Sequence, residues 1–243
     1  MFLKQVQHSF NKSATSYESV GHIQRLIAHM LVKEILDNMV NKEPKQIIDI
    51  GTGTGFVIEE LLKHLPHATY TANDLACNMI EIAKAKFINF QNINYLVGDA
   101  STLDFEYSDL VTSSMSLQWF PDIKGVLKKL YNKTAVLSFS TLLKENFKEW
   151  YEILYQFNIS PPNFHTKKEL EEICLCLNPR RYRFLNRSYI IKFNNALEMI
   201  KYLKKLGANV NNNGNKYLVK NLLDNYKEPI ETRYEVFFAI LEK

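Results

Sequence analysis

Ile47-Ile-Asp-Ile-Gly-Thr-Gly-Thr-Gly-Phe-Val57 is the stretch of this 243-residue chain that decides the fold. Its apolar start is typical of a buried strand, and the periodicity of Phe56–Leu65 predicts a helix after the glycines. The chain has only eight glycines, and Gly51, Gly53 and Gly55 fall within five positions. Glycine permits positive φ and close approach of backbone to a ligand, and a helix start offers free N–H groups. The stretch therefore predicts a site for a nucleotide-like cofactor.

Short apolar runs alternate with helical segments from Lys45 to Ser140. The predicted strands of this part are Gln46–Ile50, Ala68–Asn73, Ile93–Val97, Leu110–Ser113 and Ala135–Phe139. The predicted helices are Phe56–Leu65, Asn78–Phe87 and Ile123–Tyr131. Repeated strand-helix-strand units predict an α/β fold with a doubly wound, mostly parallel sheet, of seven strands once the two strands predicted near the end of the chain are added.

Both flanks of this core are predicted to be mainly helical. Gly21–Met39 has apolar residues at helical spacing, which predicts an N-terminal helix packed on the sheet. After the fifth strand, the predicted helices are Glu145–Phe157, Lys167–Cys176, Ala196–Leu206 and Tyr217–Tyr226, the predicted strands are Tyr189–Phe193 and Tyr234–Leu241, and Asn209–Asn215 is a predicted surface loop. We expect a single domain over residues 1–243, with a helical cap (1–44), a cofactor-binding core (45–141) and a C-terminal part (142–243) that supplies the acceptor side.

Composition excludes several classes of protein. With 46% hydrophobic and 23% charged residues the chain reads as an ordinary globular protein, and a net charge of +4 is too mild to indicate nucleic acid. No apolar run approaches the roughly 20 residues of a membrane span, and the start lacks a signal-peptide pattern. Three cysteines suit a reducing compartment, so we expect a cytoplasmic protein. We also expect a monomer. Cys174 and Cys176 alternate with leucines on a predicted helix, which indicates core packing, and we expect no metal.

The spacing of the glycines discriminates between cofactors. A dinucleotide fingerprint places its third glycine one position later, and a P-loop requires a lysine that is missing after Gly55. The order Asp49-x-Gly-x-Gly-x-Gly instead resembles motif I of the class I methyltransferases that use S-adenosylmethionine. Asp49 suits a cofactor with a cationic amino-acid end. Asp74 and Asp99 follow the next two strands, where carboxylates can accept from ribose hydroxyls and from the adenine amino group.

This resemblance implies S-adenosylmethionine as the cofactor and a set of residues around it. The expected cofactor-binding residues are Asp49, Gly51, Thr52, Gly53, Gly55, Asp74, Leu75, Met79, Asp99, Ala100 and Ser114. The three acids follow successive parallel strands, so they are expected at one crevice at the carboxyl edge of the sheet.

A narrower resemblance extends over nearly the whole chain. Phe10-x-x-x-Ala-x-x-Tyr17-Glu18 and the Gln118-Trp119 pair after the fourth strand are similar to the biotin-synthesis methyltransferases that esterify malonyl-acyl carrier protein. The likeness continues through Phe139-Ser-Thr-Leu, Pro162-Asn-Phe-His, Leu203-Lys-Lys-Leu-Gly-Ala208 and Tyr234-Glu-Val-Phe-Phe. The turn Tyr131–Thr134 is shorter than in most such enzymes and lacks their Pro-Gly pair.

The resemblance implies a carboxylate acceptor carried as malonyl-phosphopantetheine on an acyl carrier protein. An ionised carboxylate with a pKa of about 4 is nucleophilic without a general base. We expect the acceptor to be positioned by Tyr17, Gln118 and Trp119. For Trp119, packing in the core is an equally good interpretation. Arginine binds carboxylate and phosphate bidentately, so the cluster formed by Arg180, Arg181, Arg183 and Arg187 is a candidate for substrate binding or for a solvated basic stretch.

Two other functions stay open at this point. One is methylation of a different small acid or of a quinone precursor by the same fold. The other is a methyltransferase-like accessory protein in respiratory-complex assembly. Methylation of nucleic acid is disfavoured because neither an Asn-Pro-Pro-Tyr-like motif nor an extended basic groove is visible.

Overall fold

The computed structural model describes residues 2–39, 43–208 and 216–243. Within them a seven-stranded sheet has the order β3-β2-β1-β4-β5-β7-β6. The strands are β1 Gln46–Ile50, β2 Thr69–Asp74, β3 Ile93–Val97, β4 Ser108–Ser114, β5 Thr134–Leu142, β6 Arg181–Phe193 and β7 Ile230–Glu242. β1 to β5 pair in parallel, and β7 pairs antiparallel with both β5 and β6. The predicted fold class, a doubly wound and mostly parallel sheet, is confirmed.

Helices cover both faces of the sheet. They are α1 Phe2–Val20, α2 His22–Asn38, α3 Phe56–Leu62, α4 Cys77–Lys86, α5 Ile123–Asn132, α6 Lys148–Gln156, α7 Lys167–Leu175, α8 Ala196–Lys205 and α9 Lys216–Asn225. A short 3-10 turn, Leu117–Trp119, follows β4. Parallel strands need crossover connections, and the helices that make them bury their apolar stripes against the sheet.

Two apolar layers result, one on each face. The first places α2, α3, α6 and α8 against one face, with fully buried Ile27, Leu31 and Ile58 at its centre. The second places α5 and α7 against the other face around Leu127 and Leu170. The sheet between them is mostly buried, and its central strands bury small polar residues such as Thr112 and Ser138 beside the apolar ones.

The C-terminal half departs from the predicted boundaries at the starts of β6, β7 and α6; β7 begins at Ile230, four residues before the predicted Tyr234. β6 begins at Arg181, whereas the apolar pattern predicted a strand only from Tyr189. Its first half is mostly exposed because β6 is the edge strand, so no alternation of apolar residues marks it. α6 begins at Lys148 and not at Glu145, because Phe147 has a left-handed φ of 53° that interrupts the helix.

α1 is a helix that the sequence pattern did not predict, since the predicted N-terminal helix began only at Gly21. It is 19 residues long and joins α2 at Gly21, whose N–H donates to the Tyr17 carbonyl at 2.8 Å. The short turn before β5 is a single residue, Lys133, between α5 and the strand. The predicted loop Asn209–Asn215 lies outside the described residues. In the described part of the chain, no helix is long and apolar enough to cross a membrane.

Candidate functional site: two joined cavities

In the glycine loop between β1 and α3, a side chain at two of the three glycine positions would clash with neighbouring residues. Gly51, Gly53 and Gly55 have φ values of 65°, 56° and 88°. A Cβ at Gly51 would lie 2.0 Å from Ser116 Oγ, and one at Gly55 would lie 2.4 Å from the Phe87 ring. A Cβ at Gly53 would meet no atom within 4 Å, because it would project into open space. The loop thus leaves room for a ligand directly over Gly53.

Asp74 links the end of β2 to this loop. One carboxylate oxygen accepts from the Gly53 N–H and the other from the Ala76 N–H, both at 2.8 Å. Burial raises the pKa of Asp74 to about 6, although hydrogen bonds from the backbone N–H groups of Ala76, Gly53 and Leu75 oppose the rise. At neutral pH the carboxylate is mainly ionised. A carboxylate has about four acceptor positions, so it can also take hydrogen bonds from a ligand's hydroxyl groups.

Asp49 at the end of β1 is buried beneath the loop. It is 1% exposed, and neither carboxylate oxygen has a hydrogen-bond partner among the described residues. Burial raises the pKa of Asp49 to about 7; the nearby Thr52 side chain opposes this rise, and the charge of Asp74 adds to it. A buried carboxylate without a partner is costly, and a nearby cation favours its ionised form. The residue therefore fits a ligand that brings positive charge to this end of the sheet.

These groups surround a cavity of about 890 Å³ at the carboxyl edge of the parallel strands, which we call the cofactor cavity. Nine of the expected cofactor-binding residues line it: Gly51, Thr52, Gly53, Asp74, Leu75, Met79, Asp99, Ala100 and Ser114. Asp49 and Gly55 do not line it, since Asp49 lies under the loop and Gly55 begins α3. Asp99 accepts from the Ser101 N–H at 2.8 Å, and Ser114 Oγ lies 3.0 Å from Ser140 Oγ.

α1 forms the roof of the cofactor cavity. Leu3, Val6, Gln7, Phe10 and Tyr17 line it from this helix. Hydrogen bonds hold the roof to its neighbours: the Gln7 side chain donates to the Leu75 carbonyl, Asn11 Oδ1 accepts from the Asn78 N–H, and Ser16 donates to the Lys205 carbonyl, each at 2.9 Å. The helix is therefore attached to both α4 and α8.

The spacing of the N-terminal motif follows from this packing. Ala14 is 3% exposed and packs against α4, while Phe10 and Tyr17 face the cavity. Glu18 forms ion pairs with Arg25 of α2, at 3.7 Å, and with Lys86 of α4. The motif residues thus recur on one side of α1 and attach its C-terminal end to its neighbours.

A second cavity of about 1000 Å³ adjoins the first, and we call it the acceptor cavity. Its walls come from the β5–α6 connection, α6, the segment 159–164, α8, α9 and β7. No Asp, Glu, His, Cys, Lys or Arg is among the described residues that line it. The residues that line both cavities are Phe10, Tyr17, Gln24, Met115 and Trp119. These five residues form the junction of the two cavities.

Tyr17 and Trp119 lie at this junction, as does the ring of Phe10. Phe10 and Trp119 are in edge contact, with ring centroids 5.8 Å apart. Burial raises the pKa of Tyr17 well above its usual value, and Asp74 and Tyr202 add to the rise. The Tyr17 hydroxyl therefore keeps its proton at neutral pH and can donate a hydrogen bond.

Gln118 lines only the acceptor cavity, and both ends of its amide already have partners. Its Nε2 donates to the Met115 carbonyl at 2.6 Å, and its Oε1 accepts from the Thr141 hydroxyl at 3.2 Å. Met115 has a left-handed φ of 55°, which costs free energy in a non-glycine residue. Gln118 thus supports the strained backbone of Met115 at the junction.

Sequence reasoning missed several polar residues of the acceptor cavity. Gln24 donates to the Tyr234 hydroxyl at 3.1 Å, while its Oε1 has no partner among the described residues. Tyr234 and Tyr202 are 2.9 Å apart through their hydroxyls. Asn146 is fully buried with both amide atoms unpaired. These residues come from α2, β7 and the β5–α6 connection, so no local motif could group them.

The arginine cluster lies apart from both cavities. Arg180, Arg181 and Arg183 line a depression at the amino end of β5, next to the end of α2. Arg181 pairs with Glu242 at 2.9 Å and Arg183 with Glu34 at 2.8 Å. Arg187 is exposed on the edge strand β6, where it donates to the Asn186 carbonyl. None of the four lines the cofactor cavity or the acceptor cavity.

Comparison with known proteins agrees with this architecture. A malonyl-[acyl-carrier protein] O-methyltransferase of Neorickettsia risticii is 28% identical over 98% of this chain and 96% of its own length. Another protein of that name, from Priestia megaterium, is 31% identical over 84% of this chain and 80% of its own. The plantazolicin methyltransferase BpumL, solved in complex with SAH, has a similar fold, with a TM-score of 0.54 over 99% of this chain and 98% of that one at 15% identity.

The family assignment rests on a match to a family model. The family model described as the ubiE/COQ5 methyltransferase family covers residues 3–211, which include α1, the glycine loop, the three acids and the first five strands. The chain belongs to the ubiE/COQ5 methyltransferase family.

Proposed function

We propose that this enzyme transfers a methyl group from S-adenosylmethionine to the free carboxylate of malonyl-acyl carrier protein, giving the methyl ester that primes biotin synthesis. The observation that carries the proposal is the junction of the two cavities, where the same five residues line both. A cofactor in one cavity and an acyl group in the other would meet only there. The names of two relatives that match 98% and 84% of the chain support the choice of acceptor.

The cofactor cavity fits S-adenosylmethionine on several counts. Asp74 would hold the ribose hydroxyls, Asp99 and Ala100 the adenine edge, and Gly51 and Gly53 would admit the amino-acid end close to the backbone. The buried, unpaired Asp49 would balance its positive charge. When bound, the cofactor supplies an electrophilic methyl group on a sulfonium.

The acceptor cavity suits a nucleophile that is already ionised. A malonyl carboxylate needs no general base, and none of the ionisable residue types that usually act as one lines this cavity among the described residues. Trp119 and Phe10 exclude water at the junction, while Tyr17 donates a hydrogen bond to the acceptor. Catalysis then consists mainly of alignment in a dry site.

The same feature weighs against the principal rival. A quinone precursor methylated at carbon or at a neutral hydroxyl must lose a proton, and the described lining of the acceptor cavity offers no carboxylate or imidazole to take it. Another small acid would share the ionised state, so only its fit to the cavity separates it. In the proposed setting the enzyme is a cytoplasmic monomer with an acyl carrier protein as its partner, and neither nucleic acid nor membrane takes part.

An assay of the full chain with matched acceptors tests the proposal. Malonyl-carrier protein, succinyl-carrier protein, free malonate and a blank are each incubated with S-adenosylmethionine. We expect S-adenosylhomocysteine to accumulate with malonyl-carrier protein, and the carrier's mass to rise by one methyl group. Transfer to free acids but never to the carrier would overturn the acceptor assignment. Absence of turnover with every acceptor, with the protein folded and binding cofactor, would favour an accessory role.

A genetic test complements the assay. The gene is expressed in a strain that lacks its malonyl-carrier methyltransferase and therefore needs biotin. Growth without biotin is expected, and an Asp74→Ala version expressed at the same level serves as the inactive control. Failure of the unaltered gene with the protein present would count against the specific acceptor.

A further inference from the structure

Asn146 is the most conspicuous polar residue that the proposed mechanism does not use. It lies in the β5–α6 connection, is 0% exposed, and lines the acceptor cavity. Neither its Nδ2 nor its Oδ1 makes a direct hydrogen bond among the described residues, although Tyr151 lies close enough to interact with the amide. Burying a polar group without a hydrogen bond is costly, so this amide calls for an explanation.

The backbone around Asn146 is fixed in place. Leu143 and Phe147 donate backbone hydrogen bonds to β7, and Lys144 donates to the His165 carbonyl, each at 2.9 Å. Phe147 holds a left-handed φ of 53°, a conformation that a bulky residue rarely adopts. Backbone strain next to an unpaired buried amide is typical of a functional position and not of a loosely packed one.

The chemistry of the side chain narrows the class of ligand. A primary amide presents donors on one atom and an acceptor on the other. A carboxylate would satisfy only Nδ2 and would place its negative oxygens near Oδ1. The N–H and C=O of a trans secondary amide point in opposite directions, so its C=O can accept from Nδ2 without bringing a negative oxygen beside Oδ1. The complementary ligand group is therefore another amide.

The position of Asn146 points to the same group. It lines the acceptor cavity but not the cofactor cavity, so it lies away from the junction where the carboxylate would react. In a carrier-bound malonyl thioester, the nearest amide is in the cysteamine part of the arm, two methylenes beyond the sulfur. This amide is the part of the acceptor expected at a distance from the reacting carboxylate.

We propose that Asn146 recognises this amide of the acceptor arm through a hydrogen bond that its Nδ2 donates to the amide C=O, and so selects thioesters of the pantetheine type over free acids. The proposal rests on the proposed function, and it assigns to Asn146 a role in specificity that the fully paired Gln118 cannot fill. Tyr151 lies beside Asn146. Burial raises the pKa of Tyr151, and its interaction with the Asn146 amide partly offsets that rise.

Two small acceptors test whether Asn146 recognises the amide. Malonyl-N-acetylcysteamine contains the amide, and the S-pentyl thioester of malonic acid has the same length without it. For Asn146→Leu we expect kcat/KM to fall about 10- to 100-fold with the first and less than about 3-fold with the second. Asn186→Leu is the matched control, because Asn186 Oδ1 is also buried and unpaired but lies in β6 outside both cavities.

Binding provides a readout that is independent of turnover. The chain has two tryptophans, Trp119 and Trp150, and both line the acceptor cavity, so their fluorescence reports its occupation. Asn146→Leu should weaken binding of malonyl-N-acetylcysteamine 10- to 100-fold and leave the titration with S-adenosylhomocysteine unchanged. Asn146→Asp should weaken this binding similarly, because the carboxylate lacks the N–H donor. It also serves as a second variant if Asn146→Leu fails to fold.

The outcomes separate the two proposals. Equal losses with both thioesters, or no loss with either, would overturn the role of Asn146 alone. If the unaltered enzyme turned over neither thioester and did not methylate malonyl-carrier protein either, the proposed function would fail. The fluorescence titration would then still decide whether an amide is preferred, and equal binding of the two thioesters would overturn the Asn146 proposal as well.

Discussion

The cofactor cavity and the acceptor cavity share one junction but are built in different ways. The cofactor cavity takes most of its polar groups from the ends of β1, β2, β3 and β4, each next to its own strand. The acceptor cavity takes its groups from α1, α2, the β5–α6 connection, α8, α9 and β7, and its lining residues Phe10 and Tyr234 are 224 positions apart in sequence. Cofactor binding therefore depends on local backbone geometry, whereas acceptor choice depends on long-range packing.

The two cavities also differ in charge. Carboxylates approach the cofactor cavity from three strands, while the described lining of the acceptor cavity holds only neutral polar groups among apolar ones. The first suits a ligand with hydroxyls and a positive end, and the second suits a long, mostly uncharged arm. Substitutions that affect one cavity and not the other can test this division.

Asp74→Ala should have the largest effect. It removes the carboxylate that accepts hydrogen bonds from the Gly53 and Ala76 N–H groups. In the proposed complex, the same carboxylate also accepts from two ribose hydroxyls. Hydrogen bonds to a charged group contribute about 1.5–3 kcal/mol each, so we expect cofactor affinity to fall at least about 100-fold. Isothermal titration with S-adenosylhomocysteine measures it. Asp104→Ala, at a side chain that is 88% exposed and paired only with Lys133, is the control. Equal affinity in both variants would refute the assignment.

Asp49→Asn should have the next largest effect, with opposite signs for stability and binding. The pKa of Asp49 is raised from 3.8 to about 7, so the folded state keeps a proton that the unfolded chain releases. Stability without ligand thus falls as pH rises from about 4 to about 7, by about 4 kcal/mol for a shift of this size. Asparagine does not titrate, and the variant should lack this loss.

The measurements for Asp49→Asn are denaturant unfolding at pH 4.5 and pH 8, and cofactor titration at pH 8. We expect the variant to be more stable than the unaltered protein at pH 8 and to bind S-adenosylmethionine about 10-fold more weakly, because the cation loses its counter-charge. A variant less stable at pH 8 would contradict the buried, unpaired state of this carboxylate.

Gln118→Leu should act on stability more than on acceptor binding. It leaves the Met115 carbonyl and the Thr141 hydroxyl without partners. Such unpaired groups cost about 1–3 kcal/mol, so we expect the free energy of unfolding to fall by that amount and the KM for malonyl-carrier protein to rise less than about 3-fold. Thr141→Val removes one bond of the pair and should cost less. A large rise in KM at unchanged stability would show that Gln118 contacts the acceptor directly.

Arg187→Ala should have the smallest effect. Arg187 is exposed on the edge strand and lines neither cavity, so the KM for malonyl-carrier protein should change less than about 2-fold. Arg180→Ala is the parallel variant at the depression near the end of α2. A KM raised more than 10-fold in either variant would support the expectation that this cluster binds the carrier or its phosphate.

The core of the fold was predictable because its signals are local. β1 and β3 have the bounds that their apolar runs predicted, and the glycine loop needed only the residues from Asp49 to Gly55. α1 was not predicted as a helix, because few of its residues are apolar and only Val6, Ser13 and Ala14 are buried. An edge strand such as β6 lacks the buried face that produces an apolar pattern.

The acceptor side was less predictable for a related reason. Glu145–Phe157 reads as one helix, which would place Asn146 inside it, but the left-handed Phe147 ends the connection before α6 begins. Whether an amide is paired depends on neighbours from other elements, and so does the difference between Gln118 and Asn146. The arginine cluster was conspicuous in the sequence only because it is local, and its placement needed the sheet order.

One roof helix over two cavities has a kinetic consequence. α1 covers the cofactor cavity along its length and reaches the acceptor cavity through Phe10 and Tyr17, while hydrogen bonds attach it to α4 and α8. Spent cofactor and methylated product would thus leave through movements of the same helix. We expect release to be slower than transfer, which a burst of one methyl ester per enzyme in the first turnover would reveal. The rates at which both ligands exchange would then depend on one event, the detachment of the 19-residue α1 from its neighbours.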